Sequence, residues 1–521
     1  MQDKARQSIL SLSTGPDETT GVSRRFFLGS VSAGAMGLGA ATMMTSAEGK
    51  PVKEAGGLPV GKALRVQPVL VYAVSTPQER TSWRPYGAIQ SDAAAESEVK
   101  RIEAELAAFV KEIEYPLEVL PVLPASSEQQ IKGAAATDAD VLLVYAASGP
   151  TEWFQALAAS QKPNIMFLRH QSGPYYLWHE IAHWRLLRFN EDAMVEPNMD
   201  VGDIVVDKYG EVAWRLRALY GLKNARGTKM LAIGSLAAYS KPGQELGPKH
   251  AQEVWGYTIE IVPADEFKQR LERTKADAAV MQKVAQDVAD FLARPKLKLN
   301  TERRFVENSF VALHVCRELL QEKNAFNFGF DHCMGGDVIG MLDTPPCLVL
   351  ALANDEGYTA YCHTDLTHTV PGVLLRWISG KPSFVCNTHF PHDGIFTVAH
   401  CAAPTKMNGR TPEPTTVMTH YESDYGAATK VEYPKGQEVT VVMSALNCAR
   451  WHGFSGTVID SPSLPACRSQ MNIQVNGDWK GLLERMEGFH AQIVYGNYLR
   501  EVGYALKKVK AVEWKNYSVQ A

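Results

Sequence analysis

The sequence predicts an α/β protein with two parallel-sheet units of Rossmann-like design followed by a β-rich C-terminal domain. Three observations predict it. From Arg65 to Glu322, short apolar runs alternate with amphipathic helical stretches, the pattern of a parallel sheet with helices on both faces. From Ala325 onward the style changes to short β runs with frequent turns. The 521 residues are also too many for a single core, so about three domains are expected.

The chain opens on a targeting segment. Ser23-Arg24-Arg25-Phe26-Phe27-Leu28 precedes a Gly/Ala-rich, weakly apolar run from Gly29 to Met44, and Thr45-Ser46-Ala47 offers small residues for cleavage. Paired arginines before such a run read as a twin-arginine signal, residues 1–47, and imply export to the periplasm of a chain already folded. The run is too short and glycine-rich for stable membrane insertion. A linker follows, and then the first α/β unit over 63–227. Arg65–Ser75 reads as a buried strand, and Asp92–Ile113 as a helix with Val99, Ile102, Leu106 and Phe109 at helical spacing. LEVLPV, VLLVYAA and NIMFLRH supply further strands, and Val212–Tyr220 another helix. The second unit, 228–324, begins with the strand KMLAIG. It continues through TIEIVPADEF into helices at Asp277–Leu292 and Thr301–Glu322. In the last domain, 325–521, NFGFDHC, CLVLALAND, YTAYC, PSFVC, FTVAHC, TTVMTHY, ATKVEY and EVTVVMSA read as strands, with one helix at Val370–Ser379 and a helical tail.

Composition excludes some functions. With 45% hydrophobic and 21% charged residues the chain is ordinarily globular. A net charge of -4 and the lack of a basic stripe exclude a nucleic-acid footprint. All eight cysteines lie between Cys316 and Cys467 with no CxxC pair, which argues against a structural zinc site. Buried free thiols are expected, with one disulfide left open by the oxidising address.

The chemistry concentrates in Ala360–Cys401, which holds five of the fourteen histidines and three of the eight cysteines, with Asp365 and Asp393 among them. Read as a strand, this stretch alternates His363 and Asp365 on one face. Asp365 reads as a metal ligand or a turn cap, and His490 as a ligand or a core histidine. Asp331 has His332 beside it as an alternative. His400 ends a strand, and His368, His389 and His392 read as loop histidines. A separate motif, His179-Glu180-Ile181-Ala182-His183, has the HExxH spacing of a zinc peptidase. No HxxGxxH extension follows it, and Asp200 and Asp203 lie in a loop entering a strand. The aromatic residues Tyr175, Tyr176, Trp178 and Trp184 give the same helix a packing reading.

Several segments carry a family resemblance. CLVLALANDEGYTAYCHTDL, PGVLLRWISGKPSF, AHCAAPTKMNG and FHAQIVYGNY resemble the C-terminal domain of the L-fucose isomerase and L-arabinose isomerase superfamily. GDIVVDKYGEVAWRLRALYGLKNARGTKMLAIG resembles the junction between the N-terminal domains of fucose-isomerase-like proteins. The resemblance implies a fucose-isomerase-type C-terminal domain, aldose–ketose isomerisation, a divalent metal, commonly Mn²⁺, and a homo-oligomer with active sites between subunits. It also implies a ligand set of Asp331, Asp365 and His490. His363 stands where most relatives have Glu, which makes the shell richer in nitrogen and shifts preference toward Zn²⁺, Fe²⁺ or Ni²⁺. Catalytic roles then fall to Asp331, His363 and Asp365, and metal ligation to these three with His490. The expected activity is isomerisation of a small sugar through an enediolate stabilised by the ion. The alternatives are a non-catalytic sugar- or metal-binding protein on the same fold and, third, the HExxH peptidase.

Overall fold

This computed structural model describes residues 52–53 and 59–518, apart from 85, 177–178, 190 and 333–334. The segment at 1–47, expected to be a twin-arginine signal, lies outside the described residues. The first sheet is all parallel, with strands in the order Leu117–Val119, Leu64–Val71, Val141–Ala146, Asn164–Leu168 and Ile204–Val206. Its strands are apolar almost throughout because helices cover both faces. Pro68 lies inside the central strand, where a proline would break pairing. It is tolerated because that strand changes partner there, leaving Leu117–Val119 after Val66 and taking up Leu123–Ala125 at Val69. The helix Asp92–Val110 starts at Ser91, whose side chain accepts from the Ala94 N–H, and buries Ile102, Leu106 and Phe109 against the sheet.

The second sheet is also parallel, in the order Thr258–Val262, Lys229–Ile233, Asn327–Phe330 and Thr359–Cys362. Two of these strands come from beyond Ala325, so the boundary expected between 324 and 325 runs through a sheet. NFGF and TAYC are joined by a crossover that includes the helices Gly336–Leu342 and Cys347–Asp355. The run CLVLALAND, expected as a strand, is the second of these helices. It is buried from end to end, and a short continuous apolar run has no period by which to tell a buried helix from a buried strand.

The C-terminal part closes into a barrel. Glu438–Ser444, His490–Tyr495, Phe384–Thr388, Ile395–His400, Ser469–Val475 and Arg450–Asp460 pair in that order, all antiparallel, and the last returns to the first. Phe384, Phe396, Val441, Phe454, Met471 and Ile493 fill the interior, so this is a packed barrel rather than a pore. The longest strand, Arg450–Asp460, escapes a reading of the sequence because Gly453 and Gly456 interrupt its apolar pattern. Both glycines are steric requirements: a Cβ would strike the Trp514 ring at Gly453 and the Ile473 side chain at Gly456.

One helix joins these parts. Leu366–Ser379 is buried on every side, its polar residues Thr367, His368, Thr369 and Arg376 included. It packs against the helices Tyr209–Ala225 and Lys241–Trp255 and against the barrel strands Glu438–Ser444 and His490–Tyr495. Its N-terminus therefore meets the mouth of the barrel and the C-terminal ends of the second sheet, the edge where open α/β sheets bind ligands. Among the described residues no single helix is long and apolar enough to cross a membrane.

Candidate metal centre

Asp365, His368 and His490 come together at that junction. Each offers one ligand atom, and these atoms lie within 4.8 Å of one another. All three residues are buried, at 3%, 2% and 5% exposure. Local structure explains the meeting. The strand Thr359–Cys362 ends three residues before Asp365, which is the N-cap of the buried helix and accepts from the Thr367 N–H at 2.8 Å through one carboxylate oxygen. The other oxygen is left for a ligand. His368 follows three residues later, one turn along, so it shares a face with the cap. His490 opens the barrel strand His490–Tyr495. Gln492 of that strand donates from Nε2 to the His368 carbonyl at 2.9 Å and so fixes the strand to the first turn of the helix. The two imidazoles meet edge to face, their centroids 4.7 Å apart.

The surroundings keep both rings neutral. Burial pushes the His368 pKa down to about 4; nearby Asp365 opposes that shift, and His363 adds to it. Burial likewise holds His490 well below its ordinary value, reinforced by His368, His400 and His363. His400, at the end of its barrel strand, is also brought to about 4 by burial, and its Nδ1 accepts from the Ala402 N–H at 3.1 Å. A neutral imidazole presents a lone pair, the form in which histidine ligates a metal.

The donor set fits a divalent ion. Nε2 of His490 is buried without a hydrogen-bond partner among the described residues, and the buried His368 ring has only the Cys362 backbone beside it. A buried polar atom left unpaired costs about 1–3 kcal/mol. One nitrogen from each ring, beside the carboxylate, is accounted for if both point at a cation. Two nitrogens and one oxygen suit Zn²⁺, Fe²⁺, Ni²⁺ or Mn²⁺.

The other residues expected at the site fall around this group. His363 is half-buried just past its strand, at φ +61°, with its ring centroid 4.2 Å from that of Tyr239. Its influence on His368, His400 and His490 puts it within electrostatic reach, outside the three-residue group. Asp331 follows the neighbouring strand Asn327–Phe330 and accepts from Ser235 Oγ at 2.7 Å, with His332 Nδ1 at 3.7 Å. It too lies outside the group, but its loop is tied in: Thr364 Oγ1 donates to the Ser235 carbonyl at 2.8 Å and accepts from the Ala237 N–H at 2.6 Å. The closeness of these two strand ends requires a glycine, since a Cβ at Gly329 would strike the His363 carbonyl. His389 and His392 are elsewhere, exposed on a loop with their rings 6.2 Å apart. Tyr239 and Phe489 pack on each other, with ring centroids 4.9 Å apart, and both reach the His490 ring; they are 52% and 43% exposed and form an aromatic lip.

His368 is the residue that sequence reasoning undervalues. The missed signal is local: Asp-Leu-Thr-His is a helix cap followed by a residue one turn on, and a strand reading of 363–365 hides it. For the HExxH motif, the backbone of His179–Leu186 forms a π-helix, while the side chains of His179, Glu180 and His183 lie outside what is described. No family model matches the chain, and no curated protein matches it.

Proposed function

We propose that this protein is a divalent-metal enzyme with its ion held by Asp365, His368 and His490, and that it interconverts an aldose and a ketose. The observation that carries the metal is the buried trio of ligand atoms within 4.8 Å, one carboxylate oxygen and one nitrogen from each imidazole. The sugar is carried by the resemblance of the surrounding segments to the fucose and arabinose isomerases. Mn²⁺ is the ion by that resemblance; two imidazoles among three donors also favour Zn²⁺, Fe²⁺ or Ni²⁺. A bound ion supplies a Lewis acid for adjacent sugar oxygens. His363, half-buried under Tyr239, is the proton carrier between the two carbons, and Asp331 is a second carboxylate at the neighbouring strand end. The aromatic lip is the side from which a small ligand enters.

The same reading makes the protein a homo-oligomer delivered folded to the periplasm by the twin-arginine machinery. Replacing Arg24 and Arg25 by Lys should leave it unexported in a fractionation assay. The test of function is elemental analysis of purified protein, then C1–C2 deuterium exchange from D₂O across a panel of aldoses with each divalent ion. Metal bound stoichiometrically together with exchange in one sugar supports the enzyme. Metal without exchange in any sugar moves the conclusion to the second reading, a metal- or sugar-binding protein, which the imidazole in place of a carboxylate at 363 favours.

A further inference from the structure

We propose that Cys401 and Cys467 form a redox-active thiol pair, assisted by His420, that closes to a disulfide by exchange with a small disulfide. This proposal stands apart from the metal centre and does not depend on it. Cys401 follows the strand Ile395–His400, and Cys467 precedes Ser469–Val475; His400 and Ser469 are register partners, so the two cysteines lie diagonally across adjacent chains just past the paired ends. The Arg468 N–H donates to the Cys401 sulfur at 3.4 Å, which brings the backbone next to Cys467 against it. The Cys467 thiol and His420 both lie close enough to the same sulfur to act on it electrostatically. His420 is itself buried, with Nδ1 3.4 Å from Ser423 Oγ and Nε2 3.9 Å from Glu422 Oε2.

These contacts single Cys401 out. The contact with Cys467 draws its pKa well below the ordinary thiol value, against the penalty of burial, and His420 and the backbone near Tyr421 add to the shift. The contact with Cys401 raises Cys467 in turn. Burial alone raises Cys386, and it is the leading cause for Cys316 and Cys448 too, so these three are inert by comparison. Both partners are free thiols in the structure, Cys401 buried and Cys467 partly exposed.

The chemistry balances as two exchanges. Cys467, the accessible sulfur, attacks one sulfur of the small disulfide while its proton passes to Cys401 and on to His420, and a thiolate leaves. Cys401 then attacks the Cys467 sulfur of the mixed disulfide and expels the second thiolate, its own proton leaving by way of His420, and the two departing sulfurs take up the two protons the pair has released. The pair loses two electrons and two protons, and the small disulfide becomes two thiols.

The test uses the full exported chain equilibrated with oxidised and reduced glutathione at several ratios, quenched by alkylation and digested. Peptide mass spectrometry should show the Cys401 and Cys467 peptides joined, two hydrogens lighter than their sum, with both alkylation sites lost together as the oxidised fraction rises. Cys467→Ser should abolish the joined peptide, and His420→Gln should slow its formation while circular dichroism reports an unchanged fold. If both thiols remain alkylatable at every ratio in folded protein, or if Cys467 joins another cysteine such as Cys347, the proposal is wrong.

Discussion

Replacing Asp365 by Asn separates the two tasks of this residue. As N-cap, Asp365 accepts from the Thr367 N–H, and Asn caps nearly as well as Asp, so the metal-free variant should lose only a few tenths of a kcal/mol. As ligand, Asn lacks the anionic donor. Loss of a partner one layer outside a metal site costs roughly 10–100-fold in affinity, and loss of a ligand should cost at least the upper figure. With metal at about 100 times the wild-type Kd, binding stabilises the wild type by about 2.7 kcal/mol; a 100-fold weaker variant gains about 0.4 kcal/mol. The difference, about 2.3 kcal/mol, should appear only when metal is present. Asp365→Ala should lose the same metal-dependent amount and a further 0.5–2 kcal/mol, roughly, in both conditions, because the cap goes as well. Denaturant midpoints followed by tryptophan fluorescence, with chelator and with added metal, read both quantities, and elemental analysis reads occupancy. If Asp365→Asn keeps the full metal-dependent gain, the carboxylate is not a ligand. If it unfolds the metal-free chain as badly as Ala does, its role is structural in a way the cap does not explain.

Three further outcomes follow from the same geometry. The metal-free protein should lose stability as pH falls from about 6.5 to about 4: the folded His368 pKa lies below its unfolded value, so the unfolded chain binds the extra proton in that window, and this one group contributes about 3 kcal/mol above it. Thermal melts against pH check this, and His368→Asn should flatten the slope. Arg169→Met should cost about 3 kcal/mol, since it takes from the buried Glu98 its buried partner at 2.7 Å and leaves only the half-exposed Arg101 at 3.4 Å; the double variant with Glu98→Gln should recover much of the loss in a denaturant titration. Gly329→Ala should cost about 1–3 kcal/mol and displace the His363 backbone, so metal binding measured by calorimetry should weaken although no ligand has been touched; unchanged binding would show that the two strand ends are not coupled to the site.

Much of the fold was legible because periodicity reports which faces are buried. The alternation of apolar strands and amphipathic helices from Arg65 onward reads directly as parallel sheets, and the first sheet's strands are where the apolar runs are. What failed was partnership. Asn327–Phe330 and Thr359–Cys362 carry no mark of the sheet they join, because a parallel central strand and a barrel strand bury the same residue types. The barrel could not be read as closed, since closure depends on Arg450–Asp460, whose glycines look like breaks until Trp514 and Ile473 are seen occupying the space of their side chains. Asp365 and His490 are close only because Gln492 and the buried helix hold the barrel to the strand ends, a long-range contact that spacing does not encode.

The site shows how one misplaced boundary changes a chemical assignment. With the helix begun at Val370, residues 363 to 365 are extended, side chains alternate, and His363 is the natural companion of Asp365. The helix begins at Leu366, and the period changes from two to 3.6 at Asp365, so His368 replaces His363 on the face of the carboxylate. His363 is turned by its left-handed backbone toward Tyr239 and the lip. The division has a chemical logic. In the proposed site the ligating imidazoles are those buried deeply enough to stay neutral, which leaves a lone pair for an ion whose charge the Asp365 carboxylate offsets. The imidazole at 363 is only half-buried and stands at the rim beside the lip, the side on which the proposed proton carrier would meet a ligand. Exchanging the two environments would give a ligand that titrates and a base that cannot. His363→Gln should therefore leave metal content intact and remove turnover, and His368→Gln should remove both. Loss of metal from the 363 variant alone would reverse the assignment.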